Sequence, residues 1–120
     1  MEYAKLGKSG IEVSRLCVGC MSFGRPSEDF HEWTLNPNET EEIVKKALDL
    51  GINFFDTANT YSHGTSEEYL GRALKKNIAR NKVVIGTKVY FNEGHLSKEA
   101  VRREIDGSLK RLGTDYVDLY

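Results

Sequence analysis

The stretch that decides the fold runs from Asn53 to Leu74 and reads NFFDTANTYSHGTSEEYLGRAL. It continues a short apolar run, Ile52 to Phe55, which predicts a buried strand and stops on the carboxylate of Asp56. Tyr61 follows in a loop of small and polar residues, and the apolar residues beyond that loop recur at helical spacing. The stretch therefore predicts a strand, a polar loop that carries a phenol, and a helix.

Strand-like segments recur on both sides of this stretch. Tyr3 to Leu6 and Ile11 to Val13 flank Gly7 to Gly10 and predict a hairpin. Leu16 to Gly19 is an apolar run without alternation, which is typical of a strand covered on both faces. Two further strands are predicted at Val83 to Gly86 and at Tyr116 to Tyr120.

Three amphipathic helices are predicted between the strands, with apolar stripes at 43–48, 69–74 and 101–112. The candidate N-terminal caps are Asn38 for the first helix, a capping box of Thr65 and Glu68 for the second, and Ser97 for the third. Gly51 and Gly113 are placed to end the first and third helices.

This order, a hairpin followed by β-α-β-α-β-α-β, predicts parallel strands joined by right-handed helical crossovers. The repeat is regular, since Asp56 to Lys88 is 32 residues (88 − 56) and Lys88 to Tyr120 is also 32 (120 − 88). No G-x-G-x-x-G follows the first strand, which disfavours a dinucleotide-binding doubly wound sheet. The predicted fold class is α/β, the N-terminal portion of a (β/α)8 TIM barrel with a β-hairpin cap and about four βα strands.

A complete barrel of this kind needs about 250 residues. Residues 1–120 are therefore expected to form one domain that is incomplete at its C-terminus. A partial barrel leaves an open edge strand with unpaired backbone groups, so the chain is expected to be a truncated product or to self-associate through that edge.

Composition excludes several functional classes. The net charge of −1 disfavours a basic stripe for nucleic acid or for an anionic membrane surface. No apolar run approaches the ~20 residues of a membrane span, and the N-terminus lacks the apolar region of a signal peptide. Two cysteines without a secretory signal indicate a reducing compartment. The prediction is a cytoplasmic protein with neither a nucleic-acid nor a membrane partner.

Three polar side chains are candidates for chemistry. Asp56 and Lys88 stand at the C-terminal ends of neighbouring predicted strands, where functional groups of parallel α/β sheets gather, and Tyr61 follows directly after one of them. A Lys88 cation beside Tyr61 would favour the phenolate, while Asp56 would hold Lys88 charged and oriented. Such a phenol can donate a proton to a developing alkoxide. From spacing alone, a loop cap, a packed tyrosine and a solvated lysine explain the residues equally well.

The stretch 53–74, together with VVIGTK and SLKRLGTDYVDLY, resembles the aldo/keto reductase superfamily over the whole chain. The likeness is closer to the bacterial-type branch that includes relatives of the potassium-channel β-subunits. It rests on the pattern D-T-A-x-x-Y-x-x-G-x-S-E, which is specific for that family.

The resemblance implies an Asp-Tyr-Lys-His tetrad and an NADPH cofactor, with no metal. Asp56 matches the acid, Tyr61 the general acid and Lys88 its activator. The family histidine follows D-L-Y, past the last residue of this chain, and His31, His63 and His95 do not stand in that motif. Gly19, Cys20 and Met21, with Asp56, match positions near the nicotinamide and its ribose.

The implied function is NADPH-dependent reduction of aldehydes or ketones to alcohols, with a small carbonyl substrate and Tyr61 as proton donor. Two alternatives stay open. One is a binding module that uses a reductase fold to sense the cofactor, as the channel β-subunits do, and the other is an inactive fragment.

The remaining motifs have alternative interpretations. Gly7-Lys8-Ser9 is similar to the end of a P-loop, but Glu2 stands where that motif needs glycine. Cys17-x-x-Cys20 could be a redox pair or half of a zinc site, although no second cysteine pair exists. His63 could line a pocket or be solvated. His31 and Trp33 could shape a substrate pocket or pack onto the barrel rim.

Overall fold

The computed structural model describes residues 1–120, which form five strands and three helices. The strands are β1 (Tyr3–Lys5), β2 (Glu12–Ser14), β3 (Val18–Gly19), β4 (Phe54–Asp56) and β5 (Val84–Gly86). The helices are α1 (Pro37–Asp49), α2 (Thr65–Asn77) and α3 (Lys98–Leu112), and short 3-10 turns lie at Tyr61–Gly64 and Arg80–Lys82. All three helices are too short or too polar to cross a bilayer.

The strands form two separate sheets. β1 and β2 pair antiparallel as the predicted hairpin, and β3, β4 and β5 form a parallel sheet in that order. Beyond β5, the predicted strand at 116–120 is reduced to a single parallel bridge between Gly86 and Leu119. The helices follow the strands as crossovers, so the predicted α/β fold, the first part of a (β/α)8 barrel, is confirmed.

The hydrophobic core lies between the parallel sheet and the helices. Phe55 of β4 and Ile85 of β5 meet Leu70 of α2 there, and all three are buried. Gly71 lets α2 and α3 approach closely, because a Cβ at this position would overlap the backbone carbonyl of Leu112. Because side chains alternate along a strand, the residues that pack on the helices determine which residues face the opposite side of the sheet.

The other face of the sheet is open. Leu16 is 59% exposed, and Cys17 and Gly19 are exposed as well. The prediction that Leu16 to Gly19 is covered on both faces is therefore wrong, as is its length, since β3 spans only Val18–Gly19. Helices cover one side of β3. Its other side would be covered only inside a closed barrel, and three strands and one bridge do not close one.

The helix caps differ from the prediction in two cases. Asn36, not Asn38, caps α1: its side chain accepts from the backbone N–H of Glu39 at 2.9 Å, and the Glu39 carboxylate accepts from the N–H of Asn36 at 2.9 Å. Pro37 takes the first helical position, where a missing N–H costs nothing, and Asn38 therefore lies inside the helix.

The predicted capping box of α2 is also wrong. Gly64 is the N-cap, with φ of 94° and no side-chain cap, and the hydroxyl of Thr65 donates to the Ser62 carbonyl at 2.7 Å. The caps of α3 are as predicted, because Ser97 Oγ accepts from the Ala100 N–H at 3.2 Å and Gly113 follows in the left-handed conformation.

Candidate active site

Asp56 and Lys88 form an ion pair at the C-terminal end of the parallel sheet. The register aligns Asp56 with Gly86, so Lys88 extends from the chain just beyond β5. Lys88 Nζ donates to Asp56 Oδ2 at 2.7 Å and to the carbonyl oxygen of Thr57 at 2.7 Å. Both side chains are nearly half exposed, at 46% and 42%, so the pair is held in place and is still open to a small molecule.

Tyr61 stands against this pair. Lys88 Nζ lies 5.0 Å from the centroid of the Tyr61 ring, which places a cation beside the phenol. The structure thus brings together the three residues that the sequence singled out for catalysis. Asp56 and Lys88 come from neighbouring strand ends, and Tyr61 comes from the loop after β4.

The electrostatics of Lys88 favour its charged form. Burial by itself would lower the pKa of Lys88, but the hydrogen bond and negative charge of Asp56, with a smaller effect of Tyr61, outweigh burial and raise that pKa above its ordinary value. Lys88 is consequently an ammonium group at neutral pH. It can stabilise negative charge on the oxygen of Tyr61.

The backbone after Tyr61 is strained. Ser62 and His63 both adopt left-handed conformations, with φ of 48° and 54°, which non-glycine residues rarely do. The loop before α1 braces this turn: the Arg25 N–H donates to Thr65 Oγ1 at 2.8 Å, and a Cβ on Gly24 would collide with the Ser62 side chain. Strain of this kind is typical of functional sites that hold one side chain in a fixed direction.

A cleft of ≈ 470 Å³ opens beside Tyr61. Its other lining residues come from three loops and are Met21, Phe30, His31, Thr60, His63, Phe91 and Asn92. The rings of Phe30 and Tyr61 lie 6.5 Å apart between centroids, so an aromatic side chain stands next to the phenol. Other clefts lie between α2 and α3 and contain none of Asp56, Tyr61 and Lys88.

The structure also places the histidines and Trp33. His63 lines the cleft, and its Nε2 is 3.1 Å from Asp29 Oδ1. That hydrogen bond lowers the pKa of the Asp29 carboxyl. His31 lines the cleft as well and stacks on Trp33 with centroids 4.4 Å apart, while Trp33 is largely exposed on the rim. His95 lies elsewhere, with Nδ1 2.7 Å from the Tyr90 carbonyl oxygen.

The residues predicted to contact the cofactor fall into two groups. Gly19 and Met21 are exposed, and a Cβ built on Gly19 would meet nothing within 4 Å. Cys20 is fully buried; its N–H donates to the Asp56 carbonyl at 2.8 Å and its own carbonyl accepts from Ser66 Oγ at 2.6 Å. A ligand at the C-terminal end of the sheet can reach Gly19 and Met21, whereas the backbone of Cys20 connects β3 to β4 and α2 through hydrogen bonds.

The two cysteines are not joined. Burial raises the pKa of the Cys20 thiol and, with the charge of Asp56, that of Cys17. Since the thiolate is the reactive form, these shifts weaken the redox interpretation of Cys17-x-x-Cys20. The structure holds no group of three or more His, Cys, Asp or Glu that could bind a metal ion.

The sequence did not single out Glu104, which joins the loops after β4 and β5. Its carboxylate accepts from Asn59 Nδ2 at 3.1 Å and from Asn92 Nδ2 at 3.1 Å. Burial would raise the pKa of Glu104, but these amides and Arg103 hold it below its ordinary value. Glu104 is buried in the structure. In the sequence it stands among charged neighbours on α3, so the residue pattern gave no sign of this role.

The buried pair Ser66 and Glu67 was also missed, because the sequence directed attention to Glu68 as a cap. A signal was present: Glu67, Leu70 and Leu74 share the spacing of one helix face, and a carboxylate on an apolar face needs a partner. Both Ser66 and Glu67 are completely buried in the structure.

Comparison with known proteins relates this chain to one family. The model of the aldo/keto reductase family matches residues 15–120. Versiconal hemiacetal acetate reductase of Aspergillus parasiticus is 42% identical over 99% of this chain and 41% of its own length. The uncharacterized oxidoreductase YrpG of Bacillus subtilis is 41% identical over 100% of this chain and 39% of its own length.

Solved structures give the same relationship. The thermostable aldo-keto reductase Tm1743, crystallised with the inhibitor epalrestat, superposes with a TM-score of 0.83 at 35% identity, over 100% of this chain and 42% of that one. The holo form of the aldo-keto reductase AKR11C1 from Bacillus halodurans gives a TM-score of 0.81 at 35% identity, over 100% and 39%. The chain thus spans about two fifths of the length of the relatives it matches.

Proposed function

The chain belongs to the aldo/keto reductase family, and we propose that it carries the proton-donating side of an NADPH-dependent reductase of aldehydes and ketones. The observation that carries this proposal is the clamp on Lys88, which Asp56 and the Thr57 carbonyl hold beside the ring of Tyr61. An ion pair with a purely structural role would not require a phenol on its open side.

In this proposal Tyr61 is the general acid. When NADPH is bound, it supplies a hydride to the carbonyl carbon of the substrate. Tyr61 gives its phenolic proton to the carbonyl oxygen as negative charge develops there, and Lys88 stabilises the phenolate that remains. Asp56 keeps Lys88 protonated and fixes its direction, so that the cation stays beside the phenol of Tyr61.

The surface around the site suits such a cofactor. Gly19 and Met21 lie at the open mouth of the barrel near Asp56, and the missing side chain of Gly19 leaves room for a planar ring. These three residues would hold the nicotinamide side of the cofactor. NADPH, in preference to NADH, is proposed on the family resemblance.

The proposed substrate is a small carbonyl compound. The cleft beside Tyr61 has apolar and aromatic side chains on its walls, from Met21, Phe30 and Phe91, and could bury the apolar part of an aldehyde. Its polar lining residues are His31, Thr60, His63 and Asn92.

The test is carbonyl-dependent oxidation of NADPH by a full-length form with Tyr61→Phe, alongside Tyr69→Phe as a matched control on α2. We expect Tyr61→Phe to abolish carbonyl reduction while NADPH binding, followed by fluorescence, stays within about twofold. Tyr69→Phe should keep wild-type turnover. Unchanged turnover in Tyr61→Phe would overturn the assignment. If the unmutated protein binds NADPH but reduces no carbonyl compound, that result would favour the cofactor-sensing module instead.

Two further expectations stay predictions. A cytoplasmic location follows from composition alone. Self-association of the isolated chain is proposed because the open sheet edge carries exposed apolar residues, among them Leu119 and Tyr120. Light scattering on the isolated chain would test it, and a stable monomer would contradict it.

A further inference from the structure

The first turn of α2 joins the ends of all three parallel strands. Ser66 Oγ donates to the Cys20 carbonyl after β3 at 2.6 Å and lies 3.0 Å from Thr57 Oγ1 after β4. Glu67 Oε1 accepts from Thr87 Oγ1 after β5 at 2.6 Å. Two consecutive helix residues therefore reach every strand end that borders the candidate active site.

The two threonines flank the ion pair of that site. Thr57 directly follows Asp56, and Thr87 directly precedes Lys88. Both threonine side chains are buried, and Thr57 also offers its carbonyl oxygen to Lys88 Nζ. A change in the position of either threonine must therefore move the residue next to it.

Of the two helix residues that contact the strand ends, Ser66 and Glu67, Glu67 forms the stronger contact because it is charged. Its side chain is 0% exposed, and its second oxygen accepts from Arg111 Nε at 2.6 Å. The Arg111 side chain packs closely against two glycines. A Cβ on Gly64 would lie 2.8 Å from Arg111 Cδ, and a Cβ on Gly107 would lie 3.0 Å from Arg111 Nη1. The carboxylate also lies in the first turn of α2, where the helix dipole favours negative charge.

A buried ion pair of this kind is a poor way to gain stability alone. Well-packed apolar residues of similar volume are often as stable or more so, because charges lose their hydration on burial. Charge-assisted hydrogen bonds do, however, fix direction more tightly than apolar contacts. The geometry of Glu67 therefore matches a role in placing Thr87.

We propose that Glu67 is a positioning residue for the candidate active site, which acts through Thr87 on the backbone that carries Lys88 and so on the alignment of Lys88 with Asp56 and Tyr61. Arg111 neutralises the carboxylate and holds it against α3. The effect on turnover rests on the proposed function, while the effect on Lys88 does not.

The experiment compares Thr87→Val, which keeps the shape but loses the hydroxyl, with Thr87→Ser, which keeps the hydroxyl. Glu67→Leu removes the anchor itself. Glu68→Leu is its matched control, because this neighbouring carboxylate is only partly buried, whereas Glu67 is fully buried. In each variant the Lys88 side chain is titrated by NMR, and kcat and KM are measured in a full-length form.

We expect Thr87→Val and Glu67→Leu to bring the pKa of Lys88 down towards its ordinary value and to lower kcat at least about tenfold, since small misplacements of reacting groups are costly. KM for NADPH should stay within about twofold, and Thr87→Ser and Glu68→Leu should match the wild type. The kcat losses of Thr87→Val and Glu67→Leu should not add in the double variant, because both act through one contact.

A merely structural role gives a different pattern. Thr87→Val or Glu67→Leu would then lower the melting temperature while the Lys88 titration and kcat stay at wild-type values, and this result would overturn the proposal. A variant that does not fold is replaced by the other, since either change alone breaks the contact. If the wild type shows no carbonyl turnover, the proposed function fails, and the Lys88 titration still decides the positioning role.

Discussion

Replacing Arg111 by methionine should destabilise the fold far more than an ordinary surface substitution. Methionine keeps an unbranched stem of similar length, so the main loss is the charge that compensates Glu67. The Glu67 carboxylate is 0% exposed and would keep only the hydroxyl of Thr87 as a partner. Removing one member of a buried pair costs about 3–5 kcal/mol, because the other charge stays buried without compensation.

Two features of the site reduce this figure. The Arg111 side chain is 24% exposed, so water can enter where the guanidinium was and the lower end of the range applies. The first turn of α2 also stabilises the orphaned carboxylate through the helix dipole, by up to about 1 kcal/mol. The expected loss in the free energy of unfolding is therefore roughly 2–3 kcal/mol.

Urea unfolding followed by circular dichroism measures this loss. Lys110→Met is the matched control, because Lys110 is the exposed neighbour of Arg111 and should lose less than about 0.5 kcal/mol. The double variant Glu67→Gln with Arg111→Met should recover more than half of the loss, since it no longer buries an uncompensated charge. A loss below about 0.5 kcal/mol in Arg111→Met, or a double variant as unstable as the single one, would refute the reasoning.

Two more predictions concern a cap and a titration. Asn36→Ala should lower the free energy of unfolding by about 1 kcal/mol while Asn38→Ala costs less than half of that, because Asn36 alone closes the capping box of α1; equal losses in urea unfolding would contradict this. Lys88 has a raised pKa in the folded state, so its stabilising contribution is present below its unfolded value near 10.5 and disappears as pH rises through the folded value. Lys88→Met should therefore lack part of the alkaline loss of stability seen in the wild type, and identical alkaline limbs would contradict the ion pair.

Local pattern predicted the order of the elements and the sheet, because strand and helix periodicities need only neighbouring residues. Asp56, Tyr61 and Lys88 could be chosen in the same way, since parallel strands bring their C-terminal ends to one edge of the sheet. The structure adds the distances that bring these residues into one site: 2.7 Å between Lys88 and Asp56, and 5.0 Å between Lys88 and the ring of Tyr61.

What could not be predicted depends on residues far apart in the chain. Glu67 meets Thr87 over 20 positions and Arg111 over 44, and no local pattern reports such partners. The cap predictions for α1 and α2 were wrong for a local reason. Thr65 has the right sequence for a cap, but its hydroxyl serves the strained turn before α2, and Pro37 moves the start of α1 so that Asn36 becomes the cap.

The prediction that β3 is covered on both faces was wrong for a different reason. Its apolar residues are typical of a strand buried on both sides, yet helices cover only one side here. A sequence pattern records the environment for which residues are suited, whereas exposure depends on how much of a barrel surrounds the strand.

The most direct test of the central claim is to follow the transferred hydrogen. A full-length form is given NADPH that carries deuterium at the hydride position, together with an aldehyde, and the alcohol is analysed by mass spectrometry. We expect the wild type to place deuterium on the former carbonyl carbon, and Tyr61→Phe to bind NADPH but to form no labelled alcohol. Labelled alcohol formed by Tyr61→Phe at the wild-type rate would contradict the role of Tyr61 as proton donor.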